Sequence, residues 1–389
     1  MILAALMVRL FLFQFQGHIM DLNLYITWLQ AAANHGFGTF YNITNCDYPP
    51  LNVYLFWLFG NVANILKLFG TSMITYVVKL IPAIFDLATV YLIFAFIRSR
   101  SSFRMALLAT AAYAFNPAII FNSSVWGQFD SIYTFFLLLS LIMVFSGRLT
   151  LSVSTFTLAV LTKPQAVALA PLIALLVYKK FGLRRMLASS VIIAAITLLV
   201  ILPFQWGNPI TSLINIYLLG FGKYPYTSVN AYNFWALFGM WRPDSLGILF
   251  LTPYLIGWLM FVVLTFLALD LVDERLKSSE GMLVFFAAFI LLFGFFMLPT
   301  RIHERYIFPS LGFLALMIPY VKRMRVIYGI LTVTLLINLA YALMTLNSGI
   351  LITWADSIVI GVSLVNTAVF VYILVLMWRE YSTKLPPIV

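Results

Sequence analysis

Long apolar runs follow one another along almost the whole of this 389-residue chain. Hydrophobic residues make up 63% of it and charged residues only 9%, whereas soluble domains are about one quarter charged. A helix needs about 20 apolar residues to cross the hydrocarbon core of a bilayer. These features predict an all-α, polytopic membrane protein that forms a single transmembrane domain, residues 1–389. The runs lie at about 1–16, 50–69, 76–97, 104–122, 129–146, 149–162, 165–179, 186–205, 246–269, 281–299, 306–320, 326–345 and 356–378.

The basic residues predict how the helices are oriented. If all thirteen runs crossed the membrane, the basic residues at 98–104 and at 179–185 would lie on opposite sides, against the positive-inside rule. The run 50–69 carries its asparagines and Lys67 mostly on one side, which is typical of an amphipathic helix in the membrane interface. Without that run, about twelve transmembrane helices remain, and both termini are predicted to be cytoplasmic.

On this map fifteen of the 23 Lys and Arg residues are cytoplasmic, and the other eight are external or within apolar runs. The positive-inside rule therefore explains the net charge of +11. We predict that the protein is surrounded by membrane lipids and binds no nucleic acid. The fifteen are residues 98, 100, 104, 148, 179, 180, 184, 185, 275, 277, 322, 323, 325, 379 and 384.

The external side receives the long connections. Residues 17–75 are predicted to form a first external loop with juxtamembrane helices, and residues 206–245 a second long loop. The first apolar run is short for a bilayer and contains Arg9, so either Arg9 snorkels to the outer end of a short helix or the true start lies upstream. The single cysteine excludes an intrachain disulfide, and the three histidines lack metal-ligand spacing, so we predict no metal site.

Two aspartates stand out in the first external loop. Asp21 precedes apolar residues at helical spacing, and it is either the N-cap of a surface helix or a functional carboxylate. Asp47 precedes Tyr48 and two prolines, a sequence typical of an ordinary turn. The apolar residues after Asp21 are Leu22, Tyr25, Trp28, Leu29 and Ala32.

Three further polar residues mark short external turns. Gln128 and Asp130 lie beside Trp126 between two crossings. They either form a plain loop or bind sugar hydroxyls, with the sugar ring on the aromatic face. Lys163 interrupts the apolar stretch 149–179, and it either snorkels or offers a cation to an anionic ligand.

The densest group of ionisable residues lies at 301–305. Arg301, His303, Glu304 and Arg305 directly precede the apolar run 306–320 and are external on our map, against the positive-inside trend. A lone charge near the bilayer costs about 2.5–3.5 kcal/mol, so this group needs partners. The arginines either belong to a structural ion-pair network or bind an anion. Phosphate is the anion that guanidinium forks fit best.

Two other polar features fall inside an apolar run and in the second long loop. Asp86 is a membrane-embedded carboxylate, and Lys79, two turns away, is a candidate partner. We interpret Asp86 as a structural or tuning group. Asn233 and Trp235 offer an amide and an aromatic ring, a combination consistent with carbohydrate contact.

Taken in order, these residues resemble a known family. They look like the GT-C superfamily of integral-membrane glycosyltransferases, especially the dolichyl-phosphate-glucose-dependent glucosyltransferases of asparagine-linked glycosylation. They also resemble the prokaryotic polyprenyl-phosphate-sugar-dependent relatives with an Arg-x-His-Glu-Arg-Tyr motif. The resemblance spans roughly residues 21–306. Its motifs are Asp21 seven positions before Trp28, Asp47-Tyr48-Pro-Pro-Leu51, Gly127-Gln128-Phe129-Asp130, Lys163, Asn233-Phe234-Trp235 and His303-Glu304-Arg305.

The resemblance implies a GT-C fold and the transfer of a hexose, mannose or glucose, from a polyprenyl- or dolichyl-phosphate monosaccharide. The acceptor is expected to be a hydroxyl of a lipid-linked glycan or of another extracytoplasmic molecule. The resemblance implies Asp21 as the catalytic base of an inverting single displacement, with no cofactor and no metal ion. We expect the donor phosphate to be bound by Arg301, His303, Arg305 and Lys163. The residues expected to bind the sugar or the acceptor are Asp47, Tyr48, Gln128, Asp130, Asn233, Trp235 and Glu304.

The chain departs from the family pattern in two ways. Arg305 stands where the eukaryotic enzymes usually carry Lys, and no D-x-D or other metal-binding acidic pattern is evident. Both departures favour a prokaryotic, metal-independent member in the plasma membrane, or in the ER membrane if the source is eukaryotic, with an extracytoplasmic active site. The C-terminal helices, 307–389, are the family's variable part.

The sequence leaves two other classes of function open. A transporter or flippase for a lipid-linked anionic substrate is the alternative, because it would also need arginines against phosphate. Transporters, however, place such charges near the midplane of the bilayer. A non-catalytic membrane scaffold would leave the one-sided placement of Asp, Arg and His unexplained.

Overall fold

The computed structural model of the protein describes residues 1–247, 251–275, 282–354 and 356–382. These residues form helices and no regular strand, which confirms the all-α prediction. Lys277 and Lys384, two of the predicted cytoplasmic residues, lie outside the described residues. The helices are α1 (Ile2–Leu12), α2 (Ile19–His35), α3 (Phe37–Ile43), α4 (Pro50–Ile65), α5 (Ile74–Arg98), α6 (Phe103–Ala114), α7 (Pro117–Ile120), α8 (Asp130–Phe145), α9 (Leu149–Thr162), α10 (Ala170–Phe181), α11 (Leu183–Ile201), α12 (Pro209–Gly222), α13 (Pro253–Arg275), α14 (Met282–Met297), α15 (Phe308–Met317), α16 (Lys322–Asn347) and α17 (Ser357–Ser382).

Six helices in the described ranges are long and apolar enough to cross a membrane, which is compatible with a multi-pass membrane protein. The number rises to seven if the bent pair Phe103–Ala114 and Pro117–Trp126, which meet at 43°, counts as one span. Other apolar helices have 10–17 residues, fewer than the roughly 20 that a bilayer requires. The expected total of about twelve crossings therefore stays a prediction. The six spans are Ile74–Arg98, Pro164–Phe181, Leu183–Ile201, Pro253–Glu274, Lys322–Asn347 and Ser357–Arg379.

The chain forms two compact units. Predicted site residues occur in both units, from Asp21 to Lys163 in unit 1 and from Asn233 to Arg305 in unit 2. Unit 1 comprises Met1–Thr89, Asn122–Val167 and Leu176–Lys223, and unit 2 comprises Val90–Phe121, Ala168–Leu175 and Tyr224–Val389.

The core of unit 1 is rich in aromatic residues. Helix α2 packs on α4, and α9 packs on α4, α8 and α11. The buried face of α2 consists of Leu22, Tyr25, Trp28, Leu29 and Ala32, so the face predicted from helical spacing is confirmed. Around this face Tyr25, Trp28, Tyr48, Phe56 and Phe129 form a cluster with neighbouring ring centroids 4.6–6.4 Å apart. Tyr25 and Trp28 belong to α2, the helix whose first turn carries Asp21.

A buried ion pair anchors α1 within unit 1. Arg9 Nε donates to Asp86 Oδ2 at 3.2 Å, and Ser123 Oγ donates to the same oxygen at 2.6 Å. Lys79, the expected partner of Asp86, instead donates to the carbonyl oxygen of Phe13 at the end of α1. Both Arg9 and Asp86 are fully buried, so the prediction that Arg9 snorkels is wrong. The guanidinium has a carboxylate inside the unit and has no need to reach the membrane surface.

Helix α14 forms the core of unit 2. It is apolar on all sides, as expected of a helix that is enclosed by protein, and α13, α15 and α17 pack against it. The rings of Phe289 and Phe293 stack at 5.8 Å, and those of Phe293 and Phe296 at 6.4 Å. Helix α14 ends at Met297, and the connection to α15 carries residues 301–305.

Candidate functional site

Asp21 lies in the first turn of α2, where its carboxylate is held by two N–H donors. The N-cap of α2 is His18, so the alternative of Asp21 as N-cap is wrong. Trp126 Nε1 donates to Asp21 Oδ2 at 3.0 Å, and Gln128 Nε2 donates to the same oxygen at 2.8 Å. These bonds orient the carboxylate and stabilise its negative charge. The Asp21 side chain remains 29% exposed, so solvent can reach the carboxylate.

His18 faces the other oxygen of the same carboxylate. Its Nδ1 lies 3.3 Å from Asp21 Oδ1, close enough for an ion pair when the imidazole is protonated, but without hydrogen-bond geometry. A proton on His18 would therefore add a positive charge beside Asp21. We call His18, Asp21, Tyr25, Trp126 and Gln128 the Asp21 centre.

The two donors to Asp21 come from a distorted segment that precedes α8. Residues Phe121–Trp126 form a π-helical turn, a feature that is frequent at functional sites. Gly127 follows with φ +87°, a conformation that other residues rarely adopt. Gly17 lies so near that a Cβ at this position would be 2.4 Å from Trp126 O. Both glycines are therefore required for the approach of this segment to the start of α2.

Two tyrosines fix the orientation of Gln128. Tyr25 Oη donates to Gln128 Oε1 at 3.0 Å, and it lies 3.1 Å from Tyr48 Oη. With its oxygen engaged by a phenol, the Gln128 amide points its N–H group at Asp21. Tyr48 and Gln128, both predicted to bind the sugar or the acceptor, are thus part of the hydrogen-bond network that supports Asp21.

Asp130 and Lys163 are partners of each other in the interior of unit 1. Lys163 Nζ donates to Asp130 Oδ1, and Asn122 Nδ2 lies 3.3 Å from Asp130 Oδ2. The exposed fractions of the Asp130 and Lys163 side chains are 0% and 5%. Lys163 also lies over the ring of Tyr133, 5.4 Å from its centroid. Asp130, which is predicted to bind the sugar or the acceptor, and Lys163, which is predicted to bind the phosphate, thus form one buried ion pair.

Asp47 lies on the connection between α3 and α4. Its Oδ2 is 2.7 Å from Lys223 Nζ, and both side chains are partly exposed. Such a pair contributes at most about 1 kcal/mol to stability. Asp47 therefore remains accessible at the surface of unit 1.

In unit 2 the two predicted phosphate-binding arginines each have a carboxylate partner. Arg301 Nε donates to Asp244 Oδ2 at 2.8 Å, and its Nη2 donates to Asp244 Oδ1 at 3.3 Å. Arg305 Nη1 donates to Glu304 Oε1. We call Asp244, Arg301, His303, Glu304 and Arg305 the arginine cluster.

The arginine cluster is layered, with acidic groups beneath basic ones. The side chains of Asp244 and Glu304 are each 2% exposed, whereas those of Arg301, His303 and Arg305 are 21%, 16% and 15% exposed. Two arginines and two carboxylates balance in number, but the outer layer is cationic. Such a surface can bind an anion through N–H groups that the inner carboxylates hold in place.

The backbone around this cluster is strained. Asn230, Trp241 and Arg301 adopt left-handed conformations, with φ of 58°, 57° and 66°. Arg301 N donates to Tyr226 O at 2.9 Å, and Trp241 N donates to Ser228 O at 3.0 Å, so the three strained residues belong to adjoining segments of unit 2. Conformations of this kind cost about 1–3 kcal/mol each and tend to occur at functional sites.

Asn233 and Trp235 attach their loop to the end of α14. Asn233 Nδ2 donates to Phe296 O at 2.9 Å, and Trp235 Nε1 donates to Leu298 O. Both residues are buried. Burial also raises the pKa of the neighbouring Tyr232 phenol, which keeps it neutral. The structure thus shows a role for these residues in positioning the loop, and their contact with a carbohydrate stays a prediction.

Sequence reasoning missed four residues of these clusters, His18, Tyr25, Trp126 and Asp244. Asp244 follows Pro243 in the second long loop, and its acidic character in an otherwise basic external region was the only signal. Trp126 was considered as an aromatic surface and not as an N–H donor, and Tyr25 was assigned to the core. Trp126, Tyr25 and Asp244 bond to partners more than 55 positions away, namely Asp21, Gln128 and Arg301. His18 faces Asp21, which is only three positions away.

Within the described part of the chain, no group of three or more His, Cys, Asp and Glu side chains is placed to hold a metal ion. No protein-family model matches the chain, and no curated protein matches it. Any assignment of function therefore rests on the Asp21 centre, on the arginine cluster and on the sequence motifs.

Proposed function

We propose that this protein is a membrane-embedded hexosyltransferase. It moves mannose or glucose from a polyprenyl- or dolichyl-phosphate monosaccharide to a hydroxyl of a lipid-linked glycan or another extracytoplasmic acceptor. The observation that carries the proposal is the carboxylate of Asp21, which is partly exposed and oriented by Trp126 and Gln128. A fixed, accessible carboxylate is what a general base requires.

In the proposed reaction the acceptor oxygen attacks the anomeric carbon of the donor. As the new C–O bond forms, the bond from the anomeric carbon to the phosphate oxygen breaks, and its electron pair leaves with the polyprenyl phosphate. Asp21 takes the proton of the attacking hydroxyl. The configuration at the anomeric carbon is inverted. A phosphate is a good leaving group, so the reaction needs no general acid and no metal ion.

The arginine cluster is the proposed site of the donor phosphate. The outward position of Arg301, His303 and Arg305 over buried carboxylates supports this assignment. Negative charge grows on the phosphate as the sugar leaves, and preoriented N–H donors stabilise such charge. Lys163 is buried with Asp130, and we now assign this pair to the support of unit 1.

A transporter for a lipid-linked anion is the second candidate. The observation that favours it is the buried pair of Arg9 and Asp86, because ionisable residues inside transmembrane helices often mark a substrate path. Both side chains are fully buried and bonded to each other, which supports a structural role more strongly.

The test is a transfer assay with the purified, reconstituted protein. Polyprenyl-phosphate-mannose and polyprenyl-phosphate-glucose are supplied separately, each with lipid-linked glycan acceptors. We expect one donor to be consumed, with release of polyprenyl phosphate and formation of a product of inverted anomeric configuration, also in the presence of EDTA. Movement of the intact donor across a liposome membrane, without cleavage, would favour the transporter.

A further inference from the structure

A second polar surface of unit 1 is built from residues other than the predicted site residues. A cavity of about 450 Å³ opens between the connection that follows α3 and the helix α12. Its volume falls within the range of small-molecule sites, roughly 300–1,000 Å³.

One wall of the cavity is a polar face of α12. Asn208, Thr211, Ser212 and Asn215 recur at intervals of three and four residues, so they share one helix face. Other faces of the same helix expose apolar side chains such as Ile214 and Leu218. The face of α12 that lines the cavity also includes Ile216 and Leu219, so this wall combines amides and hydroxyls with apolar side chains and carries no charge.

The cavity lining, among the described residues, contains no charged side chain. The facing wall adds Thr44, Asn45 and Gln205. Amides and hydroxyls can both donate and accept hydrogen bonds, as sugar hydroxyls do. The nearest ion pair, between Asp47 and Lys223, acts on the Cys46 wall from outside the lining, and its lysine is already neutralised by the aspartate. The lining thus favours a neutral ligand with many hydroxyl groups.

The two ionisable residues of the lining stay neutral as well. Burial raises the pKa of the Tyr41 phenol and of the Cys46 thiol well above their ordinary values. Tyr41 Oη donates to Tyr48 O at 2.7 Å, so the phenol is fixed as part of the wall.

The cavity wall is connected to the Asp21 centre through side chains already described. Tyr48, which accepts the hydrogen bond of Tyr41 on its carbonyl, contacts Tyr25 through its phenol. Tyr25 donates to Gln128, and Gln128 donates to Asp21. The same short network therefore holds the cavity wall and orients the carboxylate.

We propose that this cavity binds a neutral carbohydrate chain, which is the part of the acceptor adjacent to the reacting hydroxyl. The assignment to the acceptor rests on the proposed function, whereas carbohydrate binding itself requires only the cavity. The acceptor is then a glycan, either free or on a lipid carrier, and not a protein side chain.

Binding is measured without donor, by saturation-transfer NMR on the purified full-length protein. The probes are short neutral oligosaccharides of glucose and of mannose, the same glycans on a lipid carrier, and a uronic acid oligomer as the charged probe. We expect neutral glycans to bind in preference to the charged oligomer. The double variant Thr211→Val/Asn215→Leu keeps the side-chain size, removes hydrogen-bonding groups from an exposed helix face, and should weaken glycan binding about tenfold. Asn61→Leu on α4, whose amide donates to the backbone of its own helix, is the matched control and should bind as the unaltered protein does.

The outcomes separate this inference from the proposed function. Asp21→Asn should keep glycan binding while it loses hexose transfer. Equal binding of neutral and charged oligomers, or an unchanged affinity in the double variant, would overturn the carbohydrate site even if transfer is observed. Glycan binding that depends on Thr211 and Asn215 in a protein that consumes no donor would support the site and refute the transferase. If only the lipid-linked form binds, the carrier is part of the acceptor; if the free glycan binds equally, the sugars alone are recognised.

Discussion

The Asp21 centre of unit 1 and the arginine cluster of unit 2 are built in opposite ways. In the first, neutral N–H groups of Trp126 and Gln128 hold a partly exposed carboxylate. In the second, buried carboxylates hold partly exposed cations. The proposed base, Asp21, gains a proton during the reaction. Neutral N–H donors can accompany both its charged form and its protonated form. The two arginines of the proposed phosphate site keep their charge throughout, so charged carboxylates can be their permanent partners.

The largest effect is expected at Asp21. In Asp21→Asn the side chain keeps its size and an oxygen that can accept from Trp126, but it cannot take the acceptor's proton. We expect hexose transfer to fall by roughly 10²–10⁴-fold, while the donor still binds. The measurements are the transfer rate at saturating donor and, separately, the donor affinity.

Asp47→Asn is the matched control for that experiment. Asp47 pairs with Lys223 at the surface and stands before a stiff Tyr-Pro-Pro turn, so its loss should reduce transfer much less. If Asp47→Asn abolished transfer and Asp21→Asn retained it, Asp47 would be the catalytic base and Asp21 the positioning residue. The comparison of the Asp21 centre with the arginine cluster would then no longer hold.

The second prediction concerns the Asp130–Lys163 pair, in which a carboxylate is neutralised inside unit 1. Lys163→Ala leaves the Asp130 charge buried without its lysine, and it should lower the free energy of unfolding by about 3–5 kcal/mol. The double variant Asp130→Asn/Lys163→Met removes both charges and should recover most of that loss. Stability is measured by thermal unfolding in detergent. A Lys163→Ala protein of normal stability with weakened donor binding would return Lys163 to the phosphate site.

The third prediction concerns the arginine cluster. Arg301→Ala and Arg305→Ala each remove a charge-assisted hydrogen bond, so donor binding should weaken by about 1.5–3 kcal/mol. Arg305→Lys keeps the charge and should lose less. The measurement is the dissociation constant of the polyprenyl-phosphate sugar.

Arg301→Ala also deprives the buried Asp244 of its partner, so the double variant Arg301→Ala/Asp244→Asn separates the two effects. It should fold normally and still bind donor weakly. Donor affinity that is unchanged in both single alanine variants would place the phosphate elsewhere.

The last prediction concerns which loops face the outside of the membrane. Each introduced cysteine either reacts with an external reagent or does not, and we expect little effect on stability. In a Cys46→Ser background, cysteines at Asn45 in unit 1 and Ser245 in unit 2 should react with an impermeant reagent from outside. Cysteines at Ser101 and Arg184 should not. External reaction at Ser101 would overturn the predicted topology. Reaction at Asn45 but not at Ser245 would contradict the prediction that residues 17–75 and 206–245 are both external.

Local features of this chain could be predicted from its sequence. The buried face of α2 follows from the spacing of Leu22, Tyr25 and Trp28, because a helix places such residues on one side whatever surrounds it. The all-α character follows from apolar length in the same way. Asp21, Gln128 and Arg301 were identified as candidates because polar residues are rare in so apolar a chain.

The partners of these residues could not be predicted, because they are distant in sequence. Arg301 bonds Asp244, 57 positions away, and Trp126 reaches Asp21 across 105 positions. Asp21 and Asp130 both lie in predicted external connections, but Asp130 is fully buried with a lysine and Asp21 is partly exposed. Burial of a charge depends on the packing of several helices, and spacing along one helix contains no information about it.

The buried pair of Arg9 and Asp86 also sets an order for assembly during synthesis. The two residues are 77 positions apart. Because protein synthesis adds roughly 5–20 residues per second, roughly 4–15 s pass between the addition of Arg9 and that of Asp86. During that interval its charge costs about 2.5–3.5 kcal/mol wherever it enters the bilayer. Helix α1 can therefore take its final place only after α5, which carries Asp86, has been synthesised.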